Sequence, residues 1–537
     1  MRPHSRPTLR LGFGAALLTL LIGMAAPSAA RAQSANDLPD IGSTADSTLG
    51  LDEEFRIGMS VLRDLRAQGA VMEDPETDDY IQSLGSRIAS QVPDSQRRFR
   101  FFVVRDTSIN AFALPGGFIG LNQGLITATS NEAQLASVLA HEIAHVTQRH
   151  IARAVQARGR QGIASAAALV AAILVGMATG SSDAMQAGIM IAQGTAMQQQ
   201  INFTRANEYE ADRVGISLLA TAGFDPNAMP DFFEILGRRS GLAGIDVPEF
   251  LRTHPVTTNR IAETRDRAAQ LKPKVGTQSP SYDFIRERIR VLGAEQGSDL
   301  RQYYATLADS RTLSAAQRYG EALARSDAGD RGRAVAALSE LNATQPGSPM
   351  LQAALGEALA DDGRTAEALT VLRSGLAVAP RNVPLTVRYA EVLLRTDEAK
   401  AAHALLLDLF NVVPPTPEQI RLTAVAASSA GDTGDAYYYM GEYHLSSGDL
   451  AMAVKQLELA LVDPQISAVQ RARFEARMKE VRDALKESGK RRSRERPDEN
   501  AKLDEDVTPA LSPHPPAGPA HGLRLGWLRH PANAGDP

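Results

Sequence analysis

The sequence contains no cysteine. Disulfide cross-links and a lipid-attachment cysteine are therefore excluded, and stability has to come from core packing and bound metal. Aromatic residues fill only 5% of 537 positions, with a single tryptophan, Trp527. That scarcity favours packed helices over a large β-structure. An excess of basic charge is missing too. The formal net charge is −5, and residues 1–32 hold Arg2, Arg6, Arg10 and Arg31 but no acid, so without that segment the charge falls to −9. An acidic body is a poor binder of phosphate backbones, and nucleic acid is not expected as a partner. The N-terminal apolar run, Leu11 to Met24, falls short of the ~20 residues a membrane span needs. It follows a basic start and precedes Ala30-Arg31-Ala32. This reads as a signal peptide cleaved near Ala32. Export without disulfides points to a bacterial periplasm.

Two kinds of pattern are present. From Leu51 to Lys272, helical patterns surround one short β-like region. Arg98 to Arg105 (RFRFFVVR) reads as a strand, and Ala111–Leu114 and Phe118–Leu121 read as two more, joined by a Pro115-Gly116-Gly117 turn. After Thr129 the pattern turns helical, with Leu135, Val138, Leu139, Ile143 and Val146 at helical intervals and Thr129 and Glu132 at capping-box spacing. Further on, Pro346, Pro380 and Pro414 recur every 34 residues, and Gly329 and Gly363 share that spacing. A 34-residue period of helix pairs is the signature of tetratricopeptide repeats. The expected organisation is a signal peptide (1–32), a disordered linker (33–50), a mixed helical and β domain (51–272), linker helices (273–313), a repeat domain (314–485) and a disordered tail (486–537). The fold class is mainly α: a helical domain with a small β-sheet, then an α-solenoid.

His141-Glu142-Ile143-Ala144-His145 is an H-E-x-x-H motif within the helical pattern. Residues four apart share a helix face, so both imidazoles reach one ion while Glu142 sits beside them. Ala140 and Val146 flank the motif with apolar surface, and burying two imidazoles and a carboxylate there without a metal is costly. A catalytic zinc takes three protein ligands and keeps one position open. Glu208 is the expected third ligand. Asp212, four residues on, shares its face and is placed to accept the other ring N–H of a ligand histidine. Glu210 points to another face, and His150, five residues past His145, is off the ligand face and reads as a structural residue or a support behind a ligand, not as a ligand. The set predicts one Zn²⁺ per chain, with Glu142 as the catalytic base for hydrolysis of a peptide bond.

His141-Glu-Ile-Ala-His145 with Glu208-x-x-x-Asp212 resembles the zincin family that contains the CAAX prenyl protease and a heat-shock membrane protease. The stretches Asn131 to His150 and Asn110 to Gly117 are similar to its soluble, exported branch, as is the order of signal peptide, protease and repeats. The resemblance implies a gluzincin-type fold and a role in outer-membrane protein quality control. The implied clients are unfolded or misassembled outer-membrane proteins, with the β-barrel assembly machinery as a further partner. It also implies that His254, in Arg252-Thr-His254-Pro255, is a regulatory fourth ligand that holds the enzyme latent. Asn110, Ala111, Phe112 and Ala113 are expected to form the strand that pairs with an extended substrate. Integral relatives carry membrane hairpins where this chain has the uncharged run Ile163–Gly180 and the stretch Met185–Met197. Residues 163–197 read as a helical hairpin, buried or touching a membrane, that covers the cleft, with a plain core hairpin as an equal alternative.

Overall fold

The computed structural model describes residues 50–93, 98–157, 195–242, 249–272, 276, 278–295 and 298–495. The peptidase half runs α1 (Leu51–Ala67), β1 (Val71–Met72), α2 (Pro75–Ala89), β2 (Arg100–Val104), β3 (Ala111–Leu114), a one-turn 3₁₀ segment Pro115–Gly117, β4 (Phe118–Asn122), α3 (Gln123–Ala128), α4 (Glu132–Thr147) and α5 (His150–Ala157). It continues with α6 (Thr195–Thr221), α7 (Ala228–Leu242), α8 (Glu249–Thr253), α9 (Thr258–Gln270) and α10 (Ser281–Leu292). No helix among the described residues is long and apolar enough to cross a membrane.

The three strands read from sequence form, and a two-residue strand joins them in a sheet of order β1-β2-β4-β3. β2 and β4 are parallel, with Phe102 opposite Gly120. β3 runs antiparallel to β4, with Ala113 opposite Ile119, and so lies at the edge. Gly116 and Gly117 take φ of 78° and 86°, which lets the chain reverse between these strands. A Cβ on Gly117 would sit 2.1 Å from the Arg98 carbonyl oxygen.

α4 carries the H-E-x-x-H motif through the middle of the core. Leu135, Val138, Leu139 and Ile143 pack with Ile119 and Leu121 of β4, Leu84 of α2, Leu219 of α6 and Phe232 of α7. Its start differs from the expected Thr129–Glu132 box. Asn131 is the N-cap, its Oδ1 accepting from Gln134 N at 3.0 Å, while Gln134 Oε1 accepts from Ser130 N at 2.8 Å. Both expected partners are drawn into tertiary contacts. The Thr129 hydroxyl donates to the Ile126 carbonyl at 2.7 Å and meets the Tyr282 hydroxyl. Glu132 accepts from the Tyr80 hydroxyl at 2.8 Å and from Ser279 N at 2.7 Å. α6 approaches α4 closely at Gly215, where a Cβ would lie 3.1 Å from both the Ala140 carbonyl oxygen and His141 Cα. That close approach sets Glu208 and Asp212, on α6, against the histidines.

The region expected as linker helices is joined to the peptidase core, because Tyr282, Ile285 and Ile289 of α10 share the cluster built around α4. Beyond it, helix pairs stack from Ala315–Asp327 through Ala468–Glu495. Pro346, Pro380 and Pro414 each lie between one pair and the next, while Gly329 and Gly363, at φ of 85° and 80°, sit in the turns within pairs. The repeats also grip the peptidase half through buried charge. Arg288 of α10 binds Asp74 at 2.6 Å and Glu76 at 2.9 Å, and Arg388 of the repeat helix Val383–Arg395 binds the same two acids at 3.3 and 2.9 Å.

Candidate metal centre

Three elements converge on one point. α4 presents His141, Glu142 and His145, α6 presents Glu208, and the residue just past α8 is His254. His141 Nε2 lies 3.0 Å from His145 Nε2 and 3.4 Å from Glu208 Oε2, and His145 Nε2 lies 3.4 Å from Glu208 Oε1. His254 Nδ1 is 3.4 Å from His141 Nε2 and 3.1 Å from Glu208. One donor atom from each of the four residues lies within 4.8 Å of every other. A tetrahedral ion with donors near 2.0–2.1 Å separates those donors by about 3.3 Å. The observed spacings fit, and imidazole with carboxylate is a donor set suited to a divalent transition metal.

The surroundings fix these donors in place. Asp212 Oδ1 stands 3.1 Å from His141 Nδ1, on the side of the ring away from the cluster. Arg260 of α9, itself 2% exposed, holds Asp212 by two hydrogen bonds, reaches Glu208 Oε2 at 3.0 Å and donates to the Pro255 carbonyl beside His254. Its guanidinium also lies over the Phe233 ring. Burial works against ionisation of Glu208, yet His254, His145 and His141 hold its carboxyl well below the usual range. Against the burial that lowers it, Asp212 and Glu208 push the His141 imidazole up to about 10, a measure of how strongly this cradle draws positive charge. Burial pushes the Glu142 carboxyl up, partly offset by His254 and His141.

The edge strand β3 runs beside Glu142, with the Ala113 backbone N–H among the groups that favour its ionised carboxyl. Asn110, at the head of this strand, is 1% exposed, and neither polar atom of its side chain has a hydrogen-bond partner among the described residues. Phe250 N–H of α8 donates to the Ile109 carbonyl at 3.0 Å, and the Phe250 ring stacks on His254. The segment bearing His254 is thus tied to the head of the edge strand.

All the residues singled out from sequence are therefore neighbours: His141, His145, Glu208 and His254 in one cluster, Asp212 behind His141, and Glu142 between the cluster and Asn110–Ala113. Arg260 was missed. The available signal was electrostatic, since two carboxylates one turn apart on a buried helix face call for a cation besides one metal ion. Most of residues 163–197 lies outside the described residues, and only the first turn of α6 begins within it.

Comparison with known proteins agrees with this geometry. Peptidase family M48 matches residues 75–268, and the tetratricopeptide repeat family matches residues 359–426. The beta-barrel assembly-enhancing protease of Escherichia coli is 34% identical over 476 residues, which cover 87% of this chain and 95% of that one. The protein of that name in Yersinia pestis is 33% identical over 447 residues, covering 83% and 91%. A mitochondrial metalloendopeptidase of Schizosaccharomyces pombe is 28% identical over 221 residues, 41% of this chain and 62% of that relative. Similarity that runs almost end to end along such relatives, over both the cluster and the repeats, leaves one conclusion: the chain belongs to peptidase family M48 and is a metalloendopeptidase with protein-binding repeats.

Proposed function

We propose that the chain is a periplasmic, zinc-dependent endopeptidase that cleaves misassembled outer-membrane proteins, with its repeats holding the client or the β-barrel assembly machinery. The observation that carries the reading is the convergence of His141, His145 and Glu208 donors at 3.0–3.4 Å with Glu142 beside them. The names of the Escherichia coli and Yersinia pestis relatives support the choice of client. His141, His145 and Glu208 would hold Zn²⁺, which would supply Lewis acidity to the scissile carbonyl and the attacking water. The chain's own groups do the rest. Glu142 takes the proton of the attacking water and returns it to the leaving amide nitrogen. Asp212 fixes the His141 ring. The edge of β3 pairs with an extended substrate backbone, and Asn110 offers its unpaired amide to that backbone.

His254 has to leave for this to happen. Its Nδ1 stands among the ligand atoms and its Nε2 lies 3.7 Å from Glu142 Oε1, so it occupies the position that substrate and water need. We read it as a fourth ligand that holds the enzyme latent. Because Phe250 of the same segment bonds Ile109, release of His254 also frees the head of the substrate strand. The placement of His254 equally favours a second reading, a repeat scaffold or chaperone whose protease is mostly silent.

Casein cleavage and outer-membrane protein assembly, measured with wild type, Glu142→Gln and His254→Ala, separate the two. The protease reading expects cleavage by Glu142→Gln to fall about 10²–10⁴-fold and His254→Ala to cleave faster than wild type. Unchanged turnover and assembly in Glu142→Gln favours the scaffold. Alkaline carbonate extraction addresses residues 163–197, since peripheral contact releases the protein from the membrane pellet.

A further inference from the structure

We propose that His150 and Glu210 are positioning residues that set the tautomer and ring plane of His145, so that its Nε2 is the atom offered to a cation. The proposal rests on the reading of His141, His145 and Glu208 as metal ligands.

A neutral imidazole has one N–H and one lone pair. For His145 to offer a lone pair from Nε2, its proton must sit on Nδ1, and that N–H needs an acceptor. The Nδ1 of His150 lies 2.9 Å away. It accepts only when the proton of His150 is on Nε2. That Nε2 faces Glu210 Oε2 at 3.2 Å, and an ionised carboxylate is an acceptor alone. One carboxylate thus dictates two tautomers in series. Glu210 accepts from His150 Nε2–H, His150 Nδ1 accepts from His145 Nδ1–H, and His145 Nε2 is left facing His141 and Glu208. Arg153 Nη1, 2.8 Å from Glu210 Oε2, anchors the carboxylate from one helical turn further along α5.

The local backbone is built for this contact. α4 ends at Thr147 and α5 begins at His150, and Arg149 between them takes a φ of 53°, a left-handed conformation that costs a non-glycine residue energy. Its guanidinium is buried against Glu54 Oε1 at 2.8 Å, which holds the reversal in place. The reversal turns the His150 ring back over His145, edge to face at 4.8 Å between centroids. His150 is 4% exposed, and its two nitrogens face His145 and Glu210. The two ligand histidines are therefore supported in parallel ways. Asp212 reaches His141 directly, and Glu210 reaches His145 through an imidazole. Partners behind a ligand histidine orient the ring and raise its basicity, and losing one typically costs metal affinity about 10–100-fold.

The test is Zn²⁺ affinity of the full chain by chelator competition, read without reference to activity. His150→Leu removes the acceptor, and binding is expected to weaken about 10–100-fold. His150→Asn keeps a side-chain oxygen where Nδ1 stood, and is expected to recover most of that loss. Glu210→Ala removes the acceptor of His150 Nε2–H and is expected to weaken binding as His150→Leu does. Nitrogen NMR of the Zn²⁺-loaded wild type should show the His145 proton on Nδ1. The relay is overturned if His150→Leu binds Zn²⁺ as wild type does, or if His150→Asn binds as poorly as His150→Leu. A wild-type chain that binds no Zn²⁺ sinks the metal-centre reading and the relay together, whereas a wild type that binds and a His150→Leu that binds equally sink the relay alone.

Discussion

Arg260 grips Asp212 through two parallel hydrogen bonds, Nε to Oδ2 at 2.7 Å and Nη2 to Oδ1 at 2.8 Å, across 48 residues of sequence. Both side chains are almost wholly buried, and the same guanidinium touches Glu208. Paired forks of this kind fix geometry as well as charge. Arg260→Leu leaves two buried carboxylates without their cation, and breaking such a pair costs about 3–5 kcal/mol. The expected outcome is a lower unfolding midpoint in denaturant together with weaker Zn²⁺ binding. Arg260→Lys should recover little, because one ammonium cannot hold both Asp212 oxygens in a plane. A fully stable Arg260→Leu would argue against the clamp.

The contact between repeats and peptidase gives a pH prediction. Burial opposes ionisation of Asp74, but Arg288 and Arg388 outweigh it and hold the carboxyl below its usual range. A carboxyl depressed on folding contributes stability that is present above its unfolded pKa and lost as pH falls through the folded one. Asp74 also caps α2, its side chain accepting from Thr77 N. Asp74→Asn keeps a cap-competent oxygen but removes the charge. The thermal midpoint of the variant should lie below wild type above about pH 4, with the gap closing in more acidic buffer. A gap that is constant with pH would assign the loss to the cap and not to the charge.

Asn110 yields a prediction of opposite sign for stability and activity. Its buried amide makes no hydrogen bond among the described residues, so the folded chain bears a desolvation cost with no return. Asn110→Ala should leave the thermal midpoint unchanged or raised. If substrate backbone fills those bonds, kcat/KM on an extended peptide should fall about tenfold, the loss of roughly one hydrogen bond of 1–1.5 kcal/mol. Unchanged kcat/KM would remove Asn110 from the substrate strand.

Much of this was legible because it is local. The H-E-x-x-H helix, the strand of RFRFFVVR and the 34-residue spacing of Pro346, Pro380 and Pro414 are patterns within one or two elements. The repeat geometry is in fact more regular than the residues. Gly329, Gly363 and Gly431 all take positive φ, and the position between them, Asp397, does so at 59° without being glycine. The backbone keeps the period where the sequence drops it. What was not legible depends on side chains meeting across the chain. The expected partnership of Thr129 with Glu132 lost to Tyr282, Tyr80 and Ser279, which no local spacing announces. Arg260 carries no motif of its own, and its role comes from where α9 sets it, while the spacing of His150 from His145 marked it as a support and left its partner Glu210 unnamed.

Gly215 tests whether the closeness of two helices, and not only the identity of the ligands, makes the metal centre. Its missing Cβ lets α6 approach α4 until that position is 3.1 Å from the Ala140 carbonyl oxygen and from His141 Cα. Backbone atoms cannot swing aside, so Gly215→Val must push the helices apart. Overpacking of this sort costs about 1–3 kcal/mol. Glu208 and Asp212 ride on α6, two turns and one turn before Gly215, and move away from His141 and His145 together. Zn²⁺ affinity should therefore drop by more than the thermal midpoint alone would suggest. Gly237→Ala is the control, since nothing lies within 4 Å of a Cβ at that helical site. It should be neutral or stabilising by about 0.5–1 kcal/mol, with Zn²⁺ binding intact. A Gly215→Val protein that loses stability yet binds Zn²⁺ as wild type does would mean that the donors can follow one another through the shift, and that helix spacing is not what holds the centre together.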